Sequence, residues 1–228
     1  MRAVIASGTG RYADPWHPFT KTSPLLAAVL EDAGFSVRVD EDVDHAIPNL
    51  RGVDLLVVNA GDPWREAGEG DVAPKVTGDP AAFGAVLTQG LGLLAMHCAV
   101  SSLRDYPDWF PAIGGMWVPG LSWHPPASMT NVKVNGFPDE EGGAGFDDFD
   151  VFDERYCRLQ QLGSRDVVAT HPGEQGPEPS AWVRRYGRSR IAVDVLGHDE
   201  KSYESEGHRQ LITRLAVWAA HRDESPGV

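Results

Sequence analysis

Apolar and polar positions along the chain keep two rhythms. Residues 1–6 form a short apolar run, "FSVRVD" (Phe35–Asp40) alternates, and "VDLLVVNA" (Val53–Ala60) and "LGLLAM" (Leu91–Met96) are almost continuously apolar. Alternation fits a strand with one wet face, whereas an unbroken apolar run of this length fits a strand covered on both. Between these segments the period lengthens. In "LLAAVLEDAG", Leu26, Val29, Leu30 and Ala33 share one helical face. Ser23 is placed to cap that helix, with Pro24 at its first position and Gly34 past its end. Asp79-Pro80 opens a second helix, "PAAFGAVLTQ", closed by Gly90. The first hundred residues thus read β-α-β-β-α-β. Right-handed crossovers turn that order into an α/β fold: a doubly wound, mostly parallel, flavodoxin-like sheet with helices on both faces.

From Pro107 to Asp150 the pattern dissolves into Gly, Pro and Trp, with one predicted strand at Thr130–Val134. "NGFPDEEGGAGFDDFD" (residues 135–150) reads as an acidic surface excursion. Periodicity returns in "VVATH", "SAWVRRY" and "SRIAVDVLGHD", all predicted strands. A last helix is expected over Glu206–Arg222, with Leu211, Ile212, Leu215, Trp218 and Ala219 inward. No repeat and no linker divides the chain, so one domain over residues 1–222 with a short tail at 223–228 is expected.

Composition narrows the class. With 42% apolar residues the 228-residue chain can bury a full core. A net charge of −13 excludes nucleic acid and acidic membrane surfaces as partners, because phosphate binding needs clustered Lys and Arg. "MRAVIASGTG" carries one Arg and breaks at Ser7-Gly8, so it reads as a first strand rather than a signal peptide. No segment approaches the roughly 18 apolar residues of a membrane helix. Two cysteines, Cys98 and Cys157, make no disulfide framework, and a cytoplasmic location is expected. "SGTG" invites a phosphate loop but lacks both the Lys-Ser/Thr of a Walker loop and the full G-x-G-x-x-G spacing.

"GLLAMHCAVSS" (Gly92–Ser102) raises the question of a nucleophile elbow, the sharp strand-to-helix turn that holds a reactive residue at its tip. Such a turn needs small residues two places before and after the tip. Centred on Cys98 the flanks are Met96 and Val100; centred on His97 they are Ala95 and Ala99. The register selects His97, and Cys98 turns to the core as a small hydrophobe. Two alternatives stay open: an ordinary βα turn whose histidine packs, and a Cys98 thiolate activated at a helix N-terminus.

Here the sequence resembles a known family. "AGFSVRVDED", "VDLLVVN", "GLGLLAMHCA" followed by "DWFPAIGG", then "DERY" and "PSAWVRRYGRSRIAVDVLGHDEKSY", in that order, are similar to ThuA-like (trehalose utilisation) proteins. The match runs from Arg2 to about His221, and "AWVRRYGRSRIAVDVLGHD" is its most specific piece. The resemblance implies a class I glutamine amidotransferase-like fold with His97 where those enzymes hold a catalytic cysteine, and hence no glutaminase activity. "DERY" departs from the family's Asp-Glu-Leu-Tyr at Arg155, and Cys98 stands where the family commonly has Ala.

Open α/β sheets bind ligands beyond the carboxyl ends of their strands. The predicted loops there carry Trp16-His17, His97, Trp109, Trp117, Trp123-His124 and Gly197-His198-Asp199. Indole faces suit the C–H face of a pyranose, and Trp16 and Trp123 with His17 and His124 are the expected sugar contacts. His97, Glu154, His198 and Asp199 are the candidate catalytic groups, since imidazoles titrate near neutrality and two carboxylates can divide acid and base roles. Glu154 follows "FDDFDVF", so the resemblance, rather than its context, brings it to the site; a solvated acidic edge is the other reading. A metal such as zinc on His17, His97, His124 and His198 is a further expectation, although no HxH or HExxH spacing is present. His45, His208 and His221 read as solvated, His171 as loop packing, and Trp182 and Trp218 as core. The expected function is a sugar-utilisation enzyme acting on a trehalose-type disaccharide or keto-sugar. The alternatives are a carbohydrate-binding or sensing protein and a Cys98-dependent amidohydrolase. Its partner is a small sugar; self-association into a homo-oligomer is left open.

Overall fold

The computed structural model describes residues 1–62, 78–138 and 147–221. Eleven strands and five α-helices follow in the order β1 (Arg2–Ser7), α1 (Phe19–Asp32), β2 (Ser36–Asp40), α2 (Val43–Ala46), β3 (Leu55–Asn59), α3 (Pro80–Thr88), β4 (Gly92–Met96), α4 (Trp109–Ile113), β5 (Gly115–Met116), β6 (Ser128–Val134), β7 (Phe149–Asp153), β8 (Gln160–Gln161), β9 (Asp166–Gly173), β10 (Gly176–Tyr186), β11 (Ser189–Asp194) and α5 (Glu206–Ala220). Nine strands form one sheet in the order β2-β1-β3-β4-β11-β10-β9-β6-β7; β5 and β8 pair separately.

The sheet has two halves. From β2 to β11 every pair is parallel, and from β11 to β7 every pair is antiparallel. The expectation of a mostly parallel sheet is therefore met in one half only. The reason is loop length: two residues, Gly187-Arg188, join β10 to β11, and Glu174-Gln175 join β9 to β10. A two-residue connection allows only an antiparallel partner.

Helices lie on both faces. Leu26 and Leu30 of α1 pack with Leu211, Ile212 and Leu215 of α5 on one side. Val43 of α2, Phe83 and Leu87 of α3 and Trp109 of α4 pack on the other. Helix α1 begins at Phe19, five residues before the expected first position at Pro24, with Pro18 at its N-cap and Pro24 inside it. Ser23 is not its cap because its hydroxyl is engaged elsewhere: its Oγ lies 2.8 Å from Ser7 Oγ and accepts the Asn59 amide at 3.0 Å. Ser205 caps α5, accepting the His208 N–H. The acidic stretch contains a strand the sequence reading missed, β7, along which Phe149, Val151 and Asp153 point inward. Residues 139–146 of that stretch and the 223–228 tail lie outside the described residues. Among the described residues no helix is long and apolar enough to cross a membrane.

Candidate functional site

Four chain segments converge beyond the carboxyl ends of β1, β4, β7 and β11, and each is shaped by its own local chemistry. Strand β4 delivers His97 directly. Its φ of +44° is a left-handed conformation that a residue with a Cβ rarely holds. Ala95 and Ala99 are fully buried on either side, as a tight elbow requires. The His97 ring is itself buried, and its Nδ1 lies 2.8 Å from the Val195 carbonyl. A carbonyl only accepts, so Nδ1 carries the proton. Nε2 then faces the cavity, 2.9 Å from the Tyr156 hydroxyl and 3.6 Å from Glu154 Oε2.

Beyond β1 the chain folds around Asp14. Its Oδ1 accepts the N–H groups of Trp16 and His17 at 2.9 Å each, and its Oδ2 lies 2.7 Å from His17 Nδ1. A Cβ at residue 61 would stand 2.6 Å from Asp14 Oδ2, so the glycine there makes room for this turn. With Nδ1 held by a carboxylate, His17 directs Nε2 inward.

Asp153, at the end of β7, ties the remaining two segments together. It is buried and accepts the N–H groups of Glu154 (2.7 Å), Gly197 (2.7 Å) and His198 (3.3 Å). Glu154 is thereby placed among imidazoles. Its Oε2 is 3.4 Å from His198 Nδ1, and its Oε1 is 3.4 Å from His124 Nδ1. The His17 ring centroid lies 5.0 Å from that of His97 and 5.1 Å from that of His198.

The charges follow from this packing. Burial opposes a charge on Glu154, but the contact with His97 and the fields of His97, His198 and His124 outweigh it and draw its carboxyl down to about 2. Burial also works against the His97 imidazolium, yet Glu154 and Asp153 more than compensate, and its pKa is raised. Burial dominates at His17, which falls to about 4 despite Asp14. Burial, reinforced by His97, lowers His198 as well. The site thus holds one fixed carboxylate, one imidazole of raised proton affinity, His97, and two of lowered affinity, His17 and His198.

Trp16, His17, Ser101, Trp117, His124, Glu154 and Tyr156 line a cavity of about 210 Å³. Trp16 is 56% exposed at its rim. The Trp117 ring lies 4.8 Å from that of Tyr156 and 5.8 Å from that of His124.

The structure thus brings together His17, His97, His124, His198, Glu154 and Trp16. Asp199 turns away to cap its own short helix, accepting the Lys201 N–H at 2.8 Å. Trp123 pairs through its backbone with Cys157 and is half-buried outside the lining. Trp109, read from sequence as a loop residue, is wholly buried and donates its indole N–H to Ala99 O. Trp182 and Trp218 are core. Cys98 is 2% exposed, with its thiol toward Ala60 O. His45 and His221 are exposed. His171 is buried in β9, its Nε2 3.0 Å from the Tyr156 carbonyl.

His208 corrects the sequence reading. It is fully buried, not solvated, with Nε2 3.0 Å from Asp194 Oδ2. The signal was present: positions 208, 211, 212 and 215 share one helical face with three apolar residues. Three site residues were also missed. Asp14 stands three residues before His17, a spacing that allows its carboxylate to hold the turn. Tyr156 lies within the quoted "DERY", and the "FDVFD" alternation points Asp153 inward.

A family model described as ThuA, trehalose utilisation, matches residues 2–219. No curated protein matches the chain. A ThuA-like protein from Parabacteroides merdae superposes with a TM-score of 0.71 at 19% identity, covering 98% of this chain and 91% of that one. One from Bacteroides uniformis gives 0.69 at 14% identity, covering 96% and 90%. A β-galactosidase from Bacillus circulans matches with a TM-score of 0.56 at 10% identity, over 94% of this chain and 30% of its own. At these identities the likeness is one of fold.

Proposed function

The chain belongs to the ThuA family, described as trehalose utilisation, and from that premise we propose an enzyme of sugar utilisation acting on a trehalose-type disaccharide or its keto derivative. The observation that carries this reading is the Glu154 carboxylate, within 3.6 Å of nitrogens of His97, His124 and His198, at a cavity that it lines with His17, His124, Tyr156 and two tryptophans. Sugar chemistry of this class needs a proton taken from a hydroxyl, or from carbon next to a carbonyl, and a proton returned to a departing oxygen. His97, whose proton affinity Glu154 raises, is the donor. The neutral His17 and His198 are the acceptors, their environments having pushed their pKa values the other way. Tyr156, hydrogen-bonded to His97 Nε2, extends the relay toward the cavity.

The cavity's volume supports a small ligand. Drug-sized pockets begin near 300 Å³, so about 210 Å³ accepts one pyranose ring and leaves the second outside against Trp16. The scaffold reads as a doubly wound relative of the class I glutamine amidotransferases, with His97 in place of their nucleophile. A Cys98 amidohydrolase is disfavoured by that thiol's burial and its direction toward Ala60.

Incubation of the purified protein with trehalose and with its keto derivative, followed by NMR of the sugar, tests the reading. Turnover by wild type and loss in His97→Ala are expected. Binding without turnover would favour a sensing role, and turnover by His97→Ala would overturn the assignment.

A further inference from the structure

We propose that His17, His97, His198 and Glu154 form a binding centre for a divalent metal ion of the zinc class. The proposal deepens the enzymatic reading of the same pocket, but stands on separate observations.

One ligand atom from each of the four residues lies within 4.8 Å of all the others. Three imidazoles with one carboxylate make a complete zinc donor set. At zinc–nitrogen bond lengths the edges of a ligand tetrahedron are about 3.3 Å. Glu154 Oε2 is already 3.4 Å from His198 Nδ1 and 3.6 Å from His97 Nε2. The remaining closure is within the reach of side-chain rotation.

Two of the nitrogens point to the ion more directly. His17 Nε2 and His198 Nδ1 are buried and have no hydrogen-bond partner among the described residues. The His17 side chain is only 5% exposed. Buried polar atoms are nearly always satisfied, and a pair of orphans directed at one point is what a ligand would satisfy.

The outward-facing nitrogens are arranged to match. Asp14 holds His17 Nδ1 and Val195 O holds His97 Nδ1, which fixes both protons on the outer nitrogens and leaves both Nε2 lone pairs inward. Metal-bound histidines are characteristically held this way by a carboxylate or a carbonyl. Asp153 fixes the other two ligands through the backbone N–H groups of Glu154 and His198. The Tyr156 hydroxyl, now on His97 Nε2, would yield that bond and turn to the cavity side, where a metal-bound water or sugar hydroxyl would stand. His124 does not belong to the set: its Nδ1 is shared between the Pro125 carbonyl and Glu154 Oε1.

The test needs no substrate. The full chain, stripped of metal with a chelator, is titrated with zinc by calorimetry and with cobalt(II) by visible absorption. One ion per chain and the intense d–d bands of four-coordinate cobalt are expected. His17→Ala, His198→Ala and the near-isosteric Glu154→Gln should each weaken binding about 100-fold or more. Asp14→Asn should weaken it about 10–100-fold, and His45→Ala should leave it unchanged. Circular dichroism of each variant confirms that it is folded. Failure of the folded wild type to bind zinc stoichiometrically, or binding unaffected by the three ligand variants, would overturn the proposal. A sugar-converting protein that binds no metal would reject this centre and keep the enzyme. A zinc-binding protein that converts no sugar would do the reverse.

Discussion

Two clusters of histidine and carboxylate lie on either side of Asp153, and they differ in how their nitrogens are used. On the open side, His17 Nε2 and His198 Nδ1 have no hydrogen-bond partner among the described residues. Behind it, His208 uses both nitrogens: Nε2 faces Asp194 at 3.0 Å, and Nδ1 faces the Ser202 carbonyl at 3.0 Å. The carboxylate and the carbonyl are acceptors, which favours the imidazolium: burial opposes that charge, but Asp194 outweighs it and raises the His208 pKa. Ser202 turns its hydroxyl to Asp153, which also holds the backbone of Glu154, Gly197 and His198. One cluster is closed and fixes the loop; the other is open beside the cavity that His17 and Glu154 line. The same residue types serve structure or chemistry according to whether their lone pairs are already engaged.

The largest effect that could break this contrast concerns turnover. Glu154→Gln keeps the side chain's shape but removes the charge that raises the proton affinity of His97. Turnover should fall about 10²–10⁴-fold, with thermal unfolding little changed; unaltered turnover would place Glu154 among the bystanders.

On the closed side the loss should be in stability. His208→Ala leaves Asp194 buried and uncompensated, and unfolding in urea should show a loss of about 3–5 kcal/mol. The double variant His208→Met/Asp194→Leu should recover most of it, because an apolar pair of similar volume avoids the desolvation of two charges. A double variant as unstable as the single one would show that the pair does more than balance its own charges.

His208 and His17, one from each cluster, should also respond oppositely to pH. The raised pKa of His208 stabilises the fold fully below its unfolded value of about 6.5, and that contribution is lost as pH rises through the folded value. The pKa of His17 is depressed to about 4, so its contribution is present above about 6.5 and is lost as pH falls toward 4. Urea midpoints measured from pH 4 to 8 should therefore lose their alkaline decline in the His208→Met/Asp194→Leu protein and flatten on the acid side in His17→Gln. Identical pH profiles in all three proteins would contradict the assigned directions.

Smallest is the rim. Trp16→Ala removes an exposed indole and should weaken sugar binding about 2–10-fold, the worth of one aromatic contact, leaving the turnover number alone.

The parallel half of the sheet was legible because its central strands are apolar runs, its edge strand alternates, and helices α1 and α3 show their own period. The elbow was legible too, since Ala95 and Ala99 fix a register that Met96 and Val100 refuse. Less accessible was the direction of the late strands, which depends on two-residue turns at Gly187-Arg188 and Glu174-Gln175 rather than on the strands themselves. Asp153 was missed and His208 misread for a common reason. Each is a polar residue next to a charged one in sequence, while the partners that satisfy it come from other segments: Gly197 and Ser202 for Asp153, and Asp194 for His208. Burial of a charge depends on such partners, and composition does not reveal them. Asp199 and Trp123 show the converse, site-like residue types at site-like loop ends that are engaged with backbone instead: Asp199 caps its own short helix, and Trp123 pairs with Cys157.

Where a sugar binds is open to direct measurement, whatever the reaction. Long-range proton–nitrogen NMR spectra resolve the imidazole nitrogens of the eight histidines and can be recorded as trehalose or its keto derivative is added. The account predicts shifts for His17, His97, His124 and His198, with His45, His208 and His221 unmoved. Shifts confined to the latter group, with the cavity imidazoles silent at saturation, would contradict it.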